Sequence, residues 1–333
     1  ITPRLPLPDA QEVLDDVTRA DDPGAALQAF NPQADGYLNL RAALARLRAN
    51  TVAPSPLRSK DREGAQLASV APDGGKGRGA MAAGLATRRA IRGVAPKRVE
   101  ADILANMERW RWLPPDLGER HILVNLPEFT LRYVDNGKVA DAARVIVGKP
   151  TTPTPIFSGE MKFLVVNPSW YIPPSILRKE FLPKLAVDPF YAERHGYVVV
   201  RRGGQLSIRQ PPGERNALGR IKFMFPNQYS VYLHDTPTRS LFAKTERAFS
   251  HGCVRVDQPF KLAELVLNDK ATWPEKRIEK MIGERERTIS LSQQLPVHFA
   301  YFTLTADADG TLHRFGDLYG LDSRLEAMLS PRK

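Results

Sequence analysis

The stretch Ala248-Phe-Ser-His-Gly-Cys253-Val-Arg-Val256 contains the one cysteine of a chain of 333 residues. A thiol attacks a carbonyl carbon as the thiolate, whereas an unperturbed cysteine is mostly protonated at neutral pH. Such a cysteine needs a base within hydrogen-bond reach, and histidine is the usual choice. His251 lies just before Cys253, and His234 ends a predicted strand that a neighbouring strand would bring beside the cysteine. The pattern therefore predicts a nucleophilic cysteine with a histidine base.

Gly252 permits a tight backbone immediately before the cysteine. The amides of Gly252 and Cys253 would then point at a developing oxyanion, where each donor typically lowers the barrier by ~3 kcal/mol. A helix predicted from Gln258 would bring its positive N-terminal end near the thiol and lower the thiol pKa.

Two other interpretations of the cysteine are open. A lone cysteine is often a small buried core residue. Together with His234 and His251 it would supply zinc ligands, but ligand pairs such as C-x-x-C or H-x-x-x-H are absent. We therefore predict no metal and no other cofactor.

Outward from this stretch, the hydrophobic pattern alternates between helical and strand periods. The turn Asp135-Asn-Gly137 is a strong hairpin signal between two alternating segments, and the glycine-rich, charged composition of residues 50–96 is typical of a linker. Strands are predicted at 121–126, 129–134, 139–147, 161–166, 197–201, 206–210, 222–225, 231–234, 297–305 and 312–315, and helices at 11–19, 38–48, 99–112, 175–185, 258–268 and 275–283. The fold class is α+β.

The composition is that of a globular protein with an excess of positive charge. Hydrophobic residues make up 42% of the chain, and 48 Lys and Arg against 37 Asp and Glu give a net charge of +11. Such a charge attracts acidic polymers, of which nucleic acid is one and a cell wall rich in peptide carboxylates is another. No nucleic-acid-binding motif is present, and no run of roughly 18 apolar residues predicts a membrane span. The start at Ile1-Thr-Pro3 is expected of a mature form whose signal segment has been removed.

The segment from His234 through Ser250-His-Gly-Cys253 resembles the signature of the L,D-transpeptidase catalytic domain of the YkuD type. That signature is a histidine, a spacer of about fifteen residues and then Ser/Thr-His-Gly-Cys. Further segments resemble the large periplasmic branch that includes YcbB, so that the resemblance covers about residues 100–322. They are Asn106-Met-Glu-Arg-Trp-Arg-Trp-Leu-Pro114, Val166-Asn-Pro-Ser-Trp-Tyr-Ile-Pro-Pro174, Tyr232-Leu-His-Asp-Thr-Pro237 and Asp317-Leu-Tyr-Gly320.

The resemblance implies a role for each matching residue. Cys253 would be the nucleophile and His234 the general base, its ring oriented by a backbone carbonyl near Asp235. Arg255 would bind a substrate carboxylate, with a structural salt bridge as the alternative. The remaining implied site residues are His251 and Gly252, which complete the motif, and Tyr232, Trp170, Ser250 and Asp235, which would line the substrate cleft. For either aromatic residue alone, a place in the core is the default.

The resemblance also implies a domain plan. Residues 1–110 would form an α-helical scaffold with the linker around 50–96, and 118–283 the catalytic domain, with a capping subdomain at about 168–220. Residues 284–333 would be a C-terminal β extension packed on the scaffold or the catalytic domain. The branch usually carries a peptidoglycan-binding module between its scaffold halves, and here only the glycine-rich stretch occupies that place.

The implied reaction is acyl transfer in the periplasm between a donor and an acceptor stem peptide of peptidoglycan. Cys253 would attack at an L-to-D bond, and links from L-Ala to diaminopimelate (1-3) are favoured over links between two diaminopimelates (3-3). Carbapenem-type β-lactams would acylate the same thiol. A hydrolase with the same pair of residues and a non-catalytic wall-binding protein are the alternatives.

Overall fold

The computed structural model describes residues 9–52, 95–202, 205–283 and 285–329. Most of the predicted linker at 50–96, with its basic residues, lies outside the described residues. The helices are α1 (Ala10–Arg19), α2 (Pro23–Ala29), α3 (Asp35–Val52), α4 (Pro96–Trp110), α5 (Pro174–Ile176), α6 (Leu182–Val187), α7 (Tyr191–Arg194), α8 (Pro259–Leu267), α9 (Glu275–Lys280) and α10 (Asp322–Leu329), with a π-helical turn at Leu177–Phe181.

The strands largely follow the predicted alternating segments. They are β1 (Arg120–Asn125), β2 (Thr130–Asp135), β3 (Lys138–Gly148), β4 (Phe157–Val166), β5 (Trp170–Tyr171), β6 (Val198–Arg202), β7 (Gln205–Gln210), β8 (Ile221–Met224), β9 (Leu233–His234), β10 (Ala248–Ser250), β11 (Val254–Val256), β12 (Arg287–Ala300), β13 (Leu304–Ala306) and β14 (Leu312–Arg314). The chain is therefore of mixed α and β structure, as the sequence predicts.

The predicted hairpin joins β2 to β3. Asp135 pairs with Lys138 across the turn, and Asn136 and Gly137 both have positive φ angles, of 49° and 71°. Two consecutive left-handed residues make the turn type whose twist matches that of the flanking strands. The Asn-Gly pair therefore closes the hairpin between β2 and β3, and the prediction is confirmed.

The main sheet of the described residues has nine strands and closes on itself. Their order is β10-β3-β11-β9-β8-β4-β12-β1-β2, and β2 pairs back with β3. Apolar side chains from every second position fill its interior, and α8 adds its own buried face to this core. The segment after Cys253 is held on two sides, because β11 lies between β3 and β9, and the segment before it is held by the pairing of β10 with β3.

Strand β12 lies beyond the domain boundary predicted at residue 284, yet it belongs to the main sheet. It lies between β1 and β4, so the predicted C-terminal extension supplies one strand of that sheet. The sequence predicts a strand only from Val297 because the first half of β12 is mostly polar. There the register shifts between Ser290 and Leu295, which interrupts the alternation of buried positions.

The rest of the C-terminal segment packs on the helical scaffold. Trp110 at the end of α4 stacks on Phe302, with ring centroids 4.4 Å apart. Beneath this pair, the buried guanidinium of Arg109 forms an ion pair of 2.7 Å with Asp322 at the start of α10. The scaffold and the end of the chain thus share a core, which also includes residues of α3 and β13.

The predicted capping subdomain is an insertion between β4 and β8. Its three-stranded sheet has the order β5-β7-β6, and it packs against the short helices through a small core around Ile172, Phe181 and Ile208. No helix among the described segments combines the length and the apolar character needed to cross a membrane.

Candidate active site

The parallel pairing of β9 with β11 decides which side chains meet. Val254 pairs with Leu233, and Arg255 pairs with His234. Leu233 and Val254 are completely buried in the core. Because side chains alternate between the two faces of a strand, the residues next to this pair point to the opposite face. Cys253 therefore shares that face with Arg255 and with the side chains of β9 that flank Leu233.

The thiol of Cys253 lies half-exposed, immediately before the N-terminal end of β11. Its Sγ is 3.7 Å from the carbonyl oxygen of Ser230. Burial raises the pKa of Cys253, while hydrogen bonds from the backbone and hydroxyl of Tyr232 and the charge of Arg255 act in the opposite direction. The thiol is consequently protonated at neutral pH and needs a base to become a nucleophile.

The imidazole of His234 is almost fully buried and is held by carbonyl groups. Its Nδ1 lies 2.5 Å from the carbonyl oxygen of Asp235, which is the contact that the family resemblance implies. A carbonyl oxygen only accepts hydrogen bonds, so Nδ1 carries the proton in the neutral ring. Burial, with the nearby charge of Arg255, lowers the pKa of His234 to about 3, against the backbone hydrogen bonds of Asp235 and Leu218.

His234 and Cys253 are therefore both neutral at neutral pH. Their strands are adjacent and their side chains share one face, and the ring of Tyr232 lies 5.8 Å from the ring of His234. No direct hydrogen bond joins the imidazole to the thiol in the part of the chain that the structure describes. The thiol makes its contacts with Ser230 and Tyr232 instead.

The turn before the cysteine differs from the sequence prediction. Gly252 has a φ of 116°, which favours glycine, but its N–H donates to Oγ of Ser250 over 3.1 Å. That hydroxyl in turn donates to the carbonyl of Cys253 over 2.5 Å. The Gly252 amide is thus engaged and is not free to bind an oxyanion. The N–H of Cys253 has no acceptor among the described residues, so it is the amide that remains free.

Two residues predicted to line the cleft have other partners. Ser250 is buried and holds the turn through the two hydrogen bonds just given. Asp235 is buried too, and its carboxylate accepts from the N–H of Arg220 over 2.9 Å and pairs with Arg239 over 2.8 Å. A Cβ on Gly219 would lie 2.4 Å from the same carboxylate, so no room is left there for a substrate. Ser250 and Asp235 therefore stabilise the backbone next to the site through these contacts.

His251 faces the capping subdomain. Its Nε2 lies 2.8 Å from Oε1 of Glu180, in the π-helical turn of the cap. Of the two candidate bases, His234 is therefore the one that shares a strand face with Cys253. This pairing could not be predicted, because Glu180 lies in the cap, far from the motif in sequence.

Arg255 presents a guanidinium group without a carboxylate partner. Its Nε is buried and has no hydrogen bond, and none of the described acidic residues forms an ion pair with it. Burial lowers the pKa of Arg255, and the thiol of Cys253 acts against that shift. The structural salt bridge weighed as the alternative role of Arg255 is therefore not found.

Trp170 extends the cluster toward the cap. It lies half-exposed in β5 and packs on the small cap core, and its indole N–H donates to the hydroxyl of Tyr232. Burial, together with the nearby thiol, raises the pKa of that hydroxyl. A chain of contacts thus leads from the cap through Trp170 and Tyr232 to Cys253. Within the ranges that the structure describes, no group of three or more His, Cys, Asp or Glu side chains could hold a metal ion.

Comparisons with known proteins agree with this geometry. Residues 119–282 match the model of the L,D-transpeptidase catalytic domain, YkuD. A Haemophilus influenzae protein named "Putative L,D-transpeptidase" is 32% identical over 238 residues, which are 66% of this chain and 48% of the relative. The chain thus spans about half the length of the curated relative that it matches.

Solved structures give a weaker likeness. An L,D-transpeptidase from Mycobacterium smegmatis is 15% identical over 54% of this chain and 58% of its own, with a TM-score of 0.28. L,D-transpeptidase 3 from Mycobacterium tuberculosis, in complex with a faropenem-derived adduct, is 13% identical over 54% of this chain and 60% of its own, with a TM-score of 0.28. TM-scores this low add no support to the sequence matches. Residues 119–282 therefore match the family of YkuD-type L,D-transpeptidase catalytic domains.

Proposed function

We propose that this protein is a peptidoglycan L,D-transpeptidase in which Cys253 forms the acyl-enzyme. The proposal rests on one observation above all. The register between β9 and β11 gives the thiol of Cys253, the imidazole of His234 and the guanidinium of Arg255 a common face. A nucleophile, a base and an anion-binding group are what acyl transfer from an acidic peptide requires.

In the first half-reaction, Sγ of Cys253 attacks the carbonyl carbon on the L side of an L-to-D bond. The thiol proton passes to His234 and from there to the departing nitrogen, so that the amide bond breaks as the thioester forms. The raised pKa of Cys253 and the lowered pKa of His234 keep this proton on sulfur until a carbonyl is in place. The free N–H of Cys253 stabilises the developing oxyanion.

In the second half-reaction, the side-chain amine of a diaminopimelate attacks the thioester carbonyl. The amine loses a proton to His234, the C–S bond breaks, and the thiol regains its proton. Water in place of the amine would give hydrolysis by the same steps. The periplasm, where the polymer lies, is the location that this reaction requires.

Arg255 recognises the carboxylate next to the bond that is cleaved. The stem peptide L-Ala–D-Glu–diaminopimelate–D-Ala has an L-to-D bond after diaminopimelate and another after L-Ala. D-Glu continues through its side chain, so the D residue of either bond presents a free α-carboxylate beside the leaving nitrogen. An unpaired buried guanidinium suits both. We favour the bond after L-Ala, and hence 1-3 links, because only the short interval around residues 50–96 stands where longer relatives carry a binding module.

A reaction with purified disaccharide tetrapeptide tests the proposal. Transfer at the bond after diaminopimelate gives a cross-linked dimer and free D-Ala. Transfer at the bond after L-Ala gives a dimer and the tripeptide D-Glu–diaminopimelate–D-Ala. The same leaving groups without a dimer identify a hydrolase. The matched control is Cys253→Ala, and equal products from this variant and the wild type would contradict the proposal.

A carbapenem-type β-lactam gives a second test, because its strained ring carbonyl needs no leaving group to depart. We expect intact-mass spectrometry to find one adduct on the wild-type protein and none on Cys253→Ala. An ordered wild-type protein that binds substrate yet shows neither an adduct nor a product would support the non-catalytic wall-binding alternative.

A further inference from the structure

Tyr319 reaches the active-site region from outside the matched catalytic domain, which ends at residue 282. Its hydroxyl donates to the carbonyl of Gly148 over 2.9 Å and accepts from the N–H of Thr154 over 3.2 Å. Gly148 is the last residue of β3, and Thr154 lies in the loop that follows this strand. One phenolic oxygen therefore closes this loop from the side of the C-terminal segment.

Thr154 connects the loop to the catalytic turn. Its buried hydroxyl donates to the carbonyl oxygen of Gly252 over 2.8 Å and accepts from the N–H of Gly148 over 2.9 Å. A second contact runs from the hydroxyl of Thr152 to the carbonyl of Ser250, over 3.1 Å. The loop thus holds two consecutive stretches of the turn that leads to Cys253.

The hydrogen bond to Gly252 fixes the direction of the free amide. The carbonyl of Gly252 and the N–H of Cys253 belong to the same planar peptide unit and point in opposite directions. When Thr154 holds the carbonyl oxygen, the N–H of Cys253 is held pointing the opposite way within the same plane. A donor acts on an oxyanion only if its direction is set before the reaction.

Tyr319 is itself firmly placed. Its ring stacks on Tyr301 with centroids 5.5 Å apart, and its N–H donates to the hydroxyl of Tyr301 over 2.6 Å. That hydroxyl donates to Asp317 over 2.6 Å. The C-terminal segment around Asp317-Leu-Tyr-Gly320 is therefore rigid enough to restrain the loop.

We propose that Tyr319 is a positioning residue for catalysis, acting through Thr154 on the peptide unit between Gly252 and Cys253. This inference rests on the proposed function, because it concerns the same nucleophile. It assigns a catalytic consequence to a segment beyond the family's domain. Tyr319 does not touch the substrate in this proposal, and its effect is on the oxyanion donor alone.

The test compares two reactions of Cys253 that differ in one respect. Acylation by a carbapenem passes through an oxyanion, whereas alkylation by iodoacetamide is a displacement at a saturated carbon and forms none. We expect Tyr319→Phe to lower the acylation rate on the order of tenfold, a fraction of the loss typical for an oxyanion donor. The alkylation rate is expected to stay at the wild-type value. A merely structural role would change both rates together or neither.

Two matched controls accompany this variant. Tyr133→Phe removes another buried hydroxyl, which accepts from Arg120 over 3.0 Å away from the catalytic turn, and it is expected to leave both rates unchanged. Thr154→Val removes the hydroxyl at nearly constant volume and should reproduce the loss, while Thr154→Ser keeps the hydroxyl and should restore acylation. If Tyr319→Phe folds poorly, as judged by its melting temperature, the comparison of Thr154→Val with Thr154→Ser decides the test.

The outcomes separate the two proposals. If the wild-type protein is acylated and Tyr319→Phe and Thr154→Val are acylated at the same rate, the positioning role is overturned and the proposed function stands. If the wild-type protein is alkylated by iodoacetamide but is neither acylated nor productive with tetrapeptide, the proposed function fails and the positioning role fails with it.

Discussion

Nε2 of His251 lies 2.8 Å from Oε1 of Glu180, and this contact joins the catalytic turn to the capping subdomain. Both side chains are 42% exposed, so the pair contributes less than about 1 kcal/mol to folding. Its effect is therefore local. It restrains the turn that precedes Cys253 and the π-helical turn of the cap with respect to each other.

Glu180→Gln should loosen the catalytic turn without destabilising the protein. We expect faster amide exchange at residues 251–253 and at the cap turn, with a melting temperature near that of the wild type. Asp188→Asn is the matched control, because Asp188 pairs with Arg194 within the cap. Exchange at 251–253 that is equal in the two variants would show that the pair does not couple the two regions.

The alkylation rate of Cys253 should rise with pH throughout the neutral range. Burial raises the pKa of Cys253 above its usual value of 9.0, and His234, with a pKa of about 3, is uncharged at neutral pH and stabilises no thiolate. The expected profile with iodoacetamide is one step above pH 9, without a plateau from acid to neutral pH. Such a plateau would reveal a thiolate–imidazolium pair and contradict the neutral resting state.

Arg255→Gln should weaken the binding of substrates that have a free α-carboxylate beside the cleaved bond. A hydrogen bond to a charged group contributes about 1.5–3 kcal/mol, which corresponds to a rise in KM of roughly tenfold to a hundredfold. Substrates with that carboxylate converted to an amide provide the control, because wild type and variant should bind them alike. An equal loss for both substrates would mean that Arg255 acts otherwise than on the carboxylate.

His298 should make the fold sensitive to acid. Burial lowers its pKa from 6.5 to about 4, and its ring is held between Ser158 and the carbonyl of Leu117. The unfolded chain binds the proton first as the pH falls, so stability is present above pH 6.5 and is lost between pH 6.5 and about 4. The loss is about 3 kcal/mol for this residue.

Urea unfolding at pH 7 and pH 4 measures this effect. The free energy of unfolding should fall less in His298→Gln than in the wild type, by up to the same amount. The neighbouring His121, whose pKa is also lowered by burial, and His234 continue to titrate in the variant. A pH dependence that is the same in both proteins would show that His298 is protonated without cost.

Turn residues and hydrophobic periodicity predicted the elements that depend on interactions between residues close in sequence. The Asn136-Gly137 pair gave the first hairpin because only left-handed backbone angles close that turn. The alternation in β1 to β4 followed from apolar side chains at every second position facing the core of the main sheet. The pairing of His234 with Arg255 could be expected in outline, because two short strands flank the motif and the closed sheet brings them together.

Contacts between residues far apart in the chain could not be predicted, because local sequence patterns do not show which distant segments meet. The first half of β12 is mostly polar, so the sequence does not indicate that it pairs within the main sheet. Glu180 and Tyr319 contact the loops around Cys253 across large sequence separations. The engagement of the Gly252 amide is different, because Ser250 two residues earlier is a residue type that commonly accepts from nearby backbone amides. That local signal was present in the motif and could have been used.

The central position of β12 has a consequence for the making of the protein. A ribosome adds residues 287–300 only after Cys253, and the closed sheet lacks a strand between β1 and β4 until they arrive. A nascent polypeptide that ends before residue 287 already contains the whole Ser250-His-Gly-Cys253 motif. Its main sheet cannot yet close through β12, so the motif is complete in the sequence before the sheet that holds it is complete in the structure.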